Sequence, residues 1–235
     1  MEQLIDKVTA YVGHKHRAGT DWYDWRFDPD KVPPGVLDGW TQDKTWYDRN
    51  VDLKRQLCKA WKAGDPTRRA QLERYYIGVW GGVRTNRPET LAAYHRASAE
   101  ENVARQHVGI ASWSKALCVR DPSQYAIFDA RVAASLNAIQ VIHRIEPTEV
   151  VRFPILASRN NAVSRGNRML RNHFRAHAWA GVRNSFYPDY LRVCQAVGAR
   201  EGASGQPLPV YAVEMALFAH TEELLRKAFP DVGHA

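Results

Sequence analysis

Apolar residues recur at intervals of three and four along most of this 235-residue chain, and this spacing constrains the fold more than any other feature. It is clear in residues 2–16, around Leu53 and Leu57, and in residues 130–139. Such spacing places apolar side chains on one side of an α-helix. We therefore expect an all-α protein: one helical domain over residues 1–235, with two lobes and a cleft between them.

Start and stop signals predict the bounds of several helices. Ser112 is expected to cap a short helix over residues 113–119, and an arginine-rich segment is expected to be helical over 164–179. Gly198 should end the helix that begins at Tyr187, because glycine commonly follows the last turn of a helix.

The remaining C-terminal segments combine one long helix with irregular stretches. Pro209 opens a helix that is predicted to reach Phe229. Residues 140–153 are rich in β-branched side chains and bounded by prolines, so this connector could contain a small strand. Residues 202–205, GASG, have the composition of a flexible linker.

Composition limits the class of protein. No stretch approaches the roughly eighteen apolar residues of a membrane-spanning helix, and the first residues do not resemble a secretory signal. The three cysteines are far apart and form no CxxC pair or Cys/His cluster. We therefore expect a cytoplasmic protein with no membrane partner, no metal and no cofactor.

Positive charge is concentrated in one segment. The formal net charge is +8, which favours a polyanionic partner. Residues 150–188 contain no Asp or Glu but hold seven arginines, among them Arg159, Arg165, Arg168, Arg171 and Arg175. Arginine suits bidentate phosphate contacts, so we interpret this segment as a nucleic-acid contact, with a solvated basic helix face as the alternative.

Asp129 ends an apolar run and precedes the helical pattern of residues 130–139. An aspartate at this position caps the free N–H groups of a helix. A fixed carboxylate could equally stabilise an oxocarbenium-like sugar or orient an attacking water molecule. The position alone leaves both interpretations open.

The surroundings of Asp129 resemble the helix-hairpin-helix DNA glycosylase superfamily. The matching residues are Gly109, Lys115, Pro122 and the run from Phe128 to Val132, FDARV. The match covers about thirty residues well, and the hairpin segment HVGIASWSK departs from the family pattern in having one glycine and no proline. The resemblance implies a helix-hairpin-helix-like core over residues 109–185, with residues 1–108 and the C-terminal helices in the other lobe.

The resemblance also implies roles for individual residues. Asp129 would be the catalytic carboxylate and Lys115 a lyase nucleophile in bifunctional members. Apart from the resemblance, we expect Arg131 to contact DNA together with the arginine-rich segment. The irregular hairpin favours a monofunctional enzyme. The implied partner is double-stranded DNA, with no obligate protein partner.

Aromatic side chains provide candidates for holding an everted base. They are Trp22, Tyr23, Trp25, Trp113 and Phe128. Rings in a loop could stack on a flipped base or on a sugar attached to it, or could simply anchor a long loop over the core. Trp40 belongs to the same aromatic cluster in the sequence.

Three functions remain open. The first is a glycosylase that removes a modified base, including a hypermodified phage pyrimidine such as glucosylated 5-hydroxymethylcytosine, in antiviral defence. The second is an 8-oxoguanine-type repair glycosylase and lyase that uses Lys115. The third is a non-catalytic helical nucleic-acid-binding protein, in which Asp129 is only a helix cap.

Overall fold

The computed structural model describes residues 1–37, 43–201 and 207–230, and within these ranges the protein is all-α, with no strand. Trp40 and the 202–205 segment lie outside the described residues. The helices, in chain order, are α1 (Glu2–Arg17), α2 (Trp46–Ala63), α3 (Pro66–Arg74), α4 (Pro88–Arg96), α5 (Ala99–Val103), α6 (Ile110–Arg120), α7 (Ala130–Ile142), α8 (Asn161–Ala176), α9 (Phe186–Glu201), α10 (Val210–Ala219) and α11 (Thr221–Ala228). A 3-10 turn at Pro29–Lys31 and a π-helical segment at Tyr75–Trp80 complete the list.

The chain forms two compact units. Unit 1 comprises Met1–Gly19 and Phe128–Ala235, and unit 2 comprises Thr20–Ile127. The division therefore falls after Gly19 and after Ile127, whereas the sequence suggested a lobe boundary at 108/109. Among the described residues, no helix combines the length and the hydropathy that crossing a membrane requires.

Unit 1 is built on the helices that the apolar spacing predicts. Leu4, Ile5, Val8 and Val12 of α1 are buried, and α1 packs against α9. The predicted inward residues of α7, which are Val132, Ala133, Leu136 and Ile139, are all buried. This part of the prediction is confirmed, because apolar side chains repeating at helical intervals leave water together.

A partly exposed charge cluster joins α1 to α11 in unit 1. The Glu223 carboxylate bonds Lys15 Nζ and Lys227 Nζ, each at 2.7 Å. Partial burial acts to raise the pKa of Glu223, but the hydrogen bonds and charges of the two lysines dominate and lower it to about 2.

The connector before α8 contains no strand. Its extended residues pair instead with two amide side chains of α7. Asn137 bonds both the N–H and the C=O of Phe153, at 3.1 Å each, and Gln140 does the same for Val151, at 2.8 and 2.9 Å. The amides take the place of a neighbouring strand, so the buried backbone groups keep their partners.

Unit 2 has its own core under α2, α3 and α6. Leu53, Leu57 and Leu72 are completely buried, and the rings of Tyr76 and Trp80 stack with centroids 4.2 Å apart. The α-helical hydrogen bonding of α3 ends at Arg74 and continues as the π-helical segment that carries these rings.

Several predicted helix bounds are wrong. Ser112 does not cap a helix, because α6 already begins at Ile110 after Gly109, whose φ of 68° suits glycine. The arginine-rich helix covers Asn161–Ala176, earlier than expected, because Asn160 caps it.

The C-terminal helices also differ from the prediction. The helix expected between Pro209 and Phe229 is two helices that meet at His220. Gly198 does not end α9, which continues to Glu201.

Candidate functional site

Asp129 caps α7, as the sequence predicted. Its backbone is extended, and its Oδ1 accepts hydrogen bonds from the N–H groups of Arg131, at 2.9 Å, and Val132, at 3.0 Å. The side chain is half-buried, and Oδ2 accepts no hydrogen bond from any described residue. One carboxylate oxygen is therefore used for capping and the other is not.

Glu222 connects the start of α7 to the start of α8. Its Oε1 accepts from Arg131 Nη2 at 3.3 Å and from Asn160 Nδ2 at 2.9 Å, and the Arg131 guanidinium lies 5.2 Å from the centre of the Phe218 ring. Glu222 is itself in the first turn of α11. The beginnings of α7, α8 and α11 thus converge close to Asp129, and such helix ends favour negative charge.

The opposite ends of these three helices surround a cavity of about 500 Å³. Its lining includes Arg144 after α7, His173 and Trp179 at the end of α8, and Phe229 after α11. Burial and the neighbouring His177 ring lower the pKa of His173. Because α7 has 13 residues, this ring-rich cavity lies roughly 20 Å along the helix from Asp129, so the two cannot contact one small ligand.

An exposed row of arginines follows the outer side of α8. Arg168, Arg171 and Arg175 are exposed, at spacings of three and four, and make no salt bridge within the described part of the chain. The other side of the helix is buried, through Val163, Gly166, Asn167, Leu170 and Phe174. We call Arg168, Arg171 and Arg175 the arginine row.

The other predicted DNA contacts differ from one another. Arg159, just before the Asn160 cap, is exposed, whereas Arg165 is half-buried. Arg131 is also half-buried and is occupied by Glu222 and the Phe218 ring. Glu222 links Arg131, two residues after Asp129, to Asn160 at the start of α8, so the row and the carboxylate lie on connected helices of unit 1.

Comparisons with protein-family models, curated proteins and solved structures gave no match.

Lys115 belongs to unit 2, whereas Asp129 belongs to unit 1. The lysine is 4% exposed, and its Nζ donates to the carbonyl of Ala111 on the same helix, at 2.7 Å. Its methylene groups pass against Gly81, where a Cβ atom would overlap them. The amine is held along α6 instead of extending into solvent.

The five aromatic candidates are divided between the units. Trp113 has no exposed surface and its Nε1 donates to the carbonyl of Val108, at 3.1 Å. Phe128 also has none, and its ring packs against Phe186 and Tyr190, with centroids 5.4 and 5.1 Å away. Both rings serve as core residues.

The three loop rings of unit 2 pack against other rings. Tyr23 is buried, Trp22 is half-buried, and each meets Tyr47 edge to face. Trp25 is half-buried and donates from Nε1 to the carbonyl of Trp80, at 3.2 Å. These contacts anchor the loop over the core of unit 2, and Trp22 and Trp25 retain exposed ring surface.

Sequence reasoning missed Glu222 and Asn160. Asn160 precedes Val163 by three residues and could have been found as a helix cap. Glu222 was hidden inside what the spacing predicted as one continuous helix, whereas it is a first-turn acid of α11. Among the described residues, no three His, Cys, Asp or Glu side chains group closely enough to hold a metal ion.

Proposed function

We propose that this protein is a DNA glycosylase: it binds double-stranded DNA through the arginine row of α8 and hydrolyses the N-glycosidic bond of an everted nucleotide with the help of Asp129. The observation that carries the proposal is a combination within one compact unit. Three exposed arginines make no salt bridge with a described residue, and the second oxygen of the capping carboxylate accepts no hydrogen bond from one. The Asp129 part also depends on the resemblance of residues 109–136 to the superfamily.

The arginine row supports DNA as the partner. Arg171 is three positions after Arg168 and Arg175 is four positions after Arg171, so the row spans about 10 Å of helix axis. One DNA strand carries a phosphate about every 3.4 Å of axis, so a helix lying along the backbone can reach several phosphates. No acid interrupts residues 150–188, which keeps repulsion between this surface and DNA low.

Asp129 supports the chemical step. Loss of a base leaves positive charge on the sugar, and a fixed carboxylate stabilises that charge or orients water for attack. Oδ1 is held by two backbone N–H groups, which fixes the side chain, while Oδ2 remains available for the sugar or the water molecule. Enzymes obtain much of their rate enhancement from charged groups that are fixed in position before the reaction begins.

The buried Lys115 favours a monofunctional enzyme over a glycosylase and lyase. An amine that attacks a sugar must reach it unprotonated, whereas this one is covered and bonds the Ala111 carbonyl. Borohydride should therefore trap no covalent adduct between the protein and abasic DNA. A trapped adduct that disappears in Lys115→Gln would favour the 8-oxoguanine-type lyase function instead.

The candidate substrates include hypermodified phage pyrimidines, such as glucosylated 5-hydroxymethylcytosine, and oxidised or alkylated bases. The half-exposed Trp22 and Trp25 rings are of the kind that stack on sugars and bases. A phage substrate would place the protein in antiviral defence. The proposed location is the cytoplasm, and the three cysteines are buried free thiols, as a reducing compartment allows.

A second candidate, a non-catalytic DNA-binding protein, is favoured by one observation. Asp129 accepts two backbone N–H groups, so capping by itself accounts for the residue. In that case DNA would bind through α8 without any chemical change.

One experiment separates these candidates. The protein is incubated with glucosylated phage DNA and with duplexes containing 8-oxoguanine, uracil or methylated purines, and abasic sites are measured. Asp129→Asn should abolish product but retain DNA binding, since asparagine caps helices nearly as well. Asp65→Asn is the matched control, because Asp65 caps α3 in the same way, through Arg68 N at 2.8 Å. DNA binding without abasic sites on any substrate, or full activity in Asp129→Asn, would refute the glycosylase proposal.

A further inference from the structure

A cavity of about 410 Å³ lies between α3 and α4 of unit 2. Its lining includes the apolar residues Ile77 and Leu91. Its polar lining residues are Thr67, Glu73, Arg74, His95 and Arg96. The polar groups approach from two helices and face one space, which is the usual arrangement of a small-molecule site.

Glu73 is a buried carboxylate with a full set of donors. It is 2% exposed and accepts from Trp61 Nε1 at 2.9 Å, Arg120 Nε at 2.8 Å and His95 Nδ1 at 3.2 Å. The Arg120 guanidinium lies against the carboxylate and compensates its charge. Glu73 therefore adds little net negative charge to the cavity while holding the His95 ring in place.

The contact with Glu73 fixes the orientation of His95. A carboxylate only accepts hydrogen bonds, so Nδ1 of His95 is the donor. The ring is partly exposed and lines the cavity, and its Nε2 bonds no described residue. A histidine held in this way by a buried acid presents Nε2 to a ligand as a hydrogen-bonding and proton-transferring group.

Two arginines give the cavity an excess of positive charge. Arg74 follows Glu73 directly, and Arg96 follows His95, so both begin beside the buried pair. Both are exposed, and neither makes an ion pair within the described ranges. Arginine forks bind phosphate oxygens bidentately, so a singly protonated terminal phosphate offers two charged oxygens to the arginines and one hydroxyl that can donate to the histidine.

We propose that this cavity binds the phosphate monoester group of a small organic molecule. Arg74 and Arg96 bind the charged oxygens of the phosphate, its protonated oxygen donates a hydrogen bond to His95 Nε2, and the organic part lies on Ile77 and Leu91. Glu73 acts as a positioning residue for the His95 ring. The site is independent of the arginine row, which lies in the other unit.

The test measures binding of inorganic phosphate and glycerol 3-phosphate by calorimetry, and follows the His95 ring signals by NMR. Both ligands should bind the full-length protein at millimolar or lower concentration, and the His95 signals should shift. The double variant Arg74→Gln/Arg96→Gln should bind at least about tenfold more weakly, as the loss of two charge-assisted contacts requires. Both residues are exposed, so this variant keeps the fold.

Arg55→Gln/Arg84→Gln is the matched control, because it removes two exposed arginines of the same unit that do not line the cavity. It should leave binding unchanged. Equal weakening in both double variants, or unshifted His95 signals at saturation with phosphate, would overturn the site. Displacement of glycerol 3-phosphate by a duplex without terminal phosphates would overturn the small-molecule assignment, since it would make internal DNA phosphates the ligand.

Discussion

Replacing the three residues of the arginine row with glutamine should weaken DNA binding far more than the lost net charge alone would. Each arginine that contacts a phosphate releases counterions, and the logarithm of affinity falls with the logarithm of salt concentration by about 0.9 per contact. Arg168, Arg171 and Arg175 are exposed and make no salt bridge in the described part of the chain, so no internal ion pair competes for them.

The magnitude follows from the number of contacts. If all three arginines contact phosphates, the slope of log affinity against log salt concentration should become less negative by about 2.7 in the variant. Between 1 M and 0.1 M salt, the same three contacts contribute about 2.7 logarithmic units, so the variant should bind about 10² to 10³ times more weakly at 0.1 M. Because the changed side chains are exposed, its free energy of unfolding should shift by no more than roughly 0.5 kcal/mol.

Fluorescence anisotropy with a labelled duplex, recorded at several salt concentrations, measures both quantities. The control is Arg55→Gln/Arg84→Gln/Arg87→Gln, which also removes three exposed arginines from a formal charge of +8 but leaves α8 intact. It should lose only a few-fold in affinity, since it changes the general field and no phosphate contact. Equal losses in the two variants, or an unchanged salt slope in the α8 variant, would refute the argument that the row is the DNA contact.

Three further outcomes test the fold of unit 1. Gly166→Ala should destabilise the protein by about 1–3 kcal/mol in denaturant unfolding, because its Cβ would lie 2.5 Å from Leu225 Cδ1; unchanged stability would show that the two helices separate easily. Asn137→Leu should cost about 2–5 kcal/mol by the same measurement, since it leaves the N–H and C=O of Phe153 buried and unpaired, and a loss below about 0.5 kcal/mol would contradict this. The pKa of Glu223 is lowered from 4.5 to about 2, so its carboxylate contributes stability that is present above pH 4.5 and lost as the pH falls toward 2. The melting temperature of Glu223→Gln should therefore fall less in acid than that of the unchanged protein. An identical pH profile for the two proteins would show that the charge cluster does not cause the acid-side loss of stability.

Sequence reasoning succeeded where the cause is local. The Asp129 cap and the inward face of α7 depend on residues within one or two turns, and both were predicted. The same holds for α1. The all-α class follows from these local patterns added together, because helices with an apolar side must pack against one another.

Sequence-based prediction of helix bounds failed where a residue contacts a part of the chain that is distant in the sequence. Gly198 has the composition signal of a helix end, yet α9 continues through it. The glycine serves a close approach instead, because a Cβ at this position would overlap the Leu208 carbonyl. Ser112 has the signal of a cap, but it is buried and its Oγ accepts from Asn86 at 2.8 Å. Gly198 and Ser112 make tertiary contacts. No local sequence pattern distinguishes such a residue from one that caps or ends a helix.

Some residues of the candidate site could be predicted from local sequence and others could not. The arginine row could be predicted, because an amphipathic helix without acids leaves its cations on the outside. Trp113 and Phe128 could not be placed from sequence, since a large ring next to a candidate catalytic residue is equally suited to a core, and both are core residues. Glu73 and His95 lie 22 positions apart, and only the packing of α3 against α4 brings them together.

Contacts within unit 1 also fix how the proposed catalytic acid and the DNA contact act together. Glu222 ties the first turn of α7 to the cap of α8, and Gly166 lets α8 approach α11 closely, so these helices hold one another in register. Arg168 then lies about 10 Å along α8 from its first residue, which is the end shared with Asp129. An everted nucleotide whose sugar reaches Asp129 would have phosphates of its own strand within the span of the arginine row, about three phosphate intervals away. In the proposed function, DNA held by the row would bring its backbone towards a carboxylate that two backbone N–H groups already fix, which is the preorganisation that this chemistry requires.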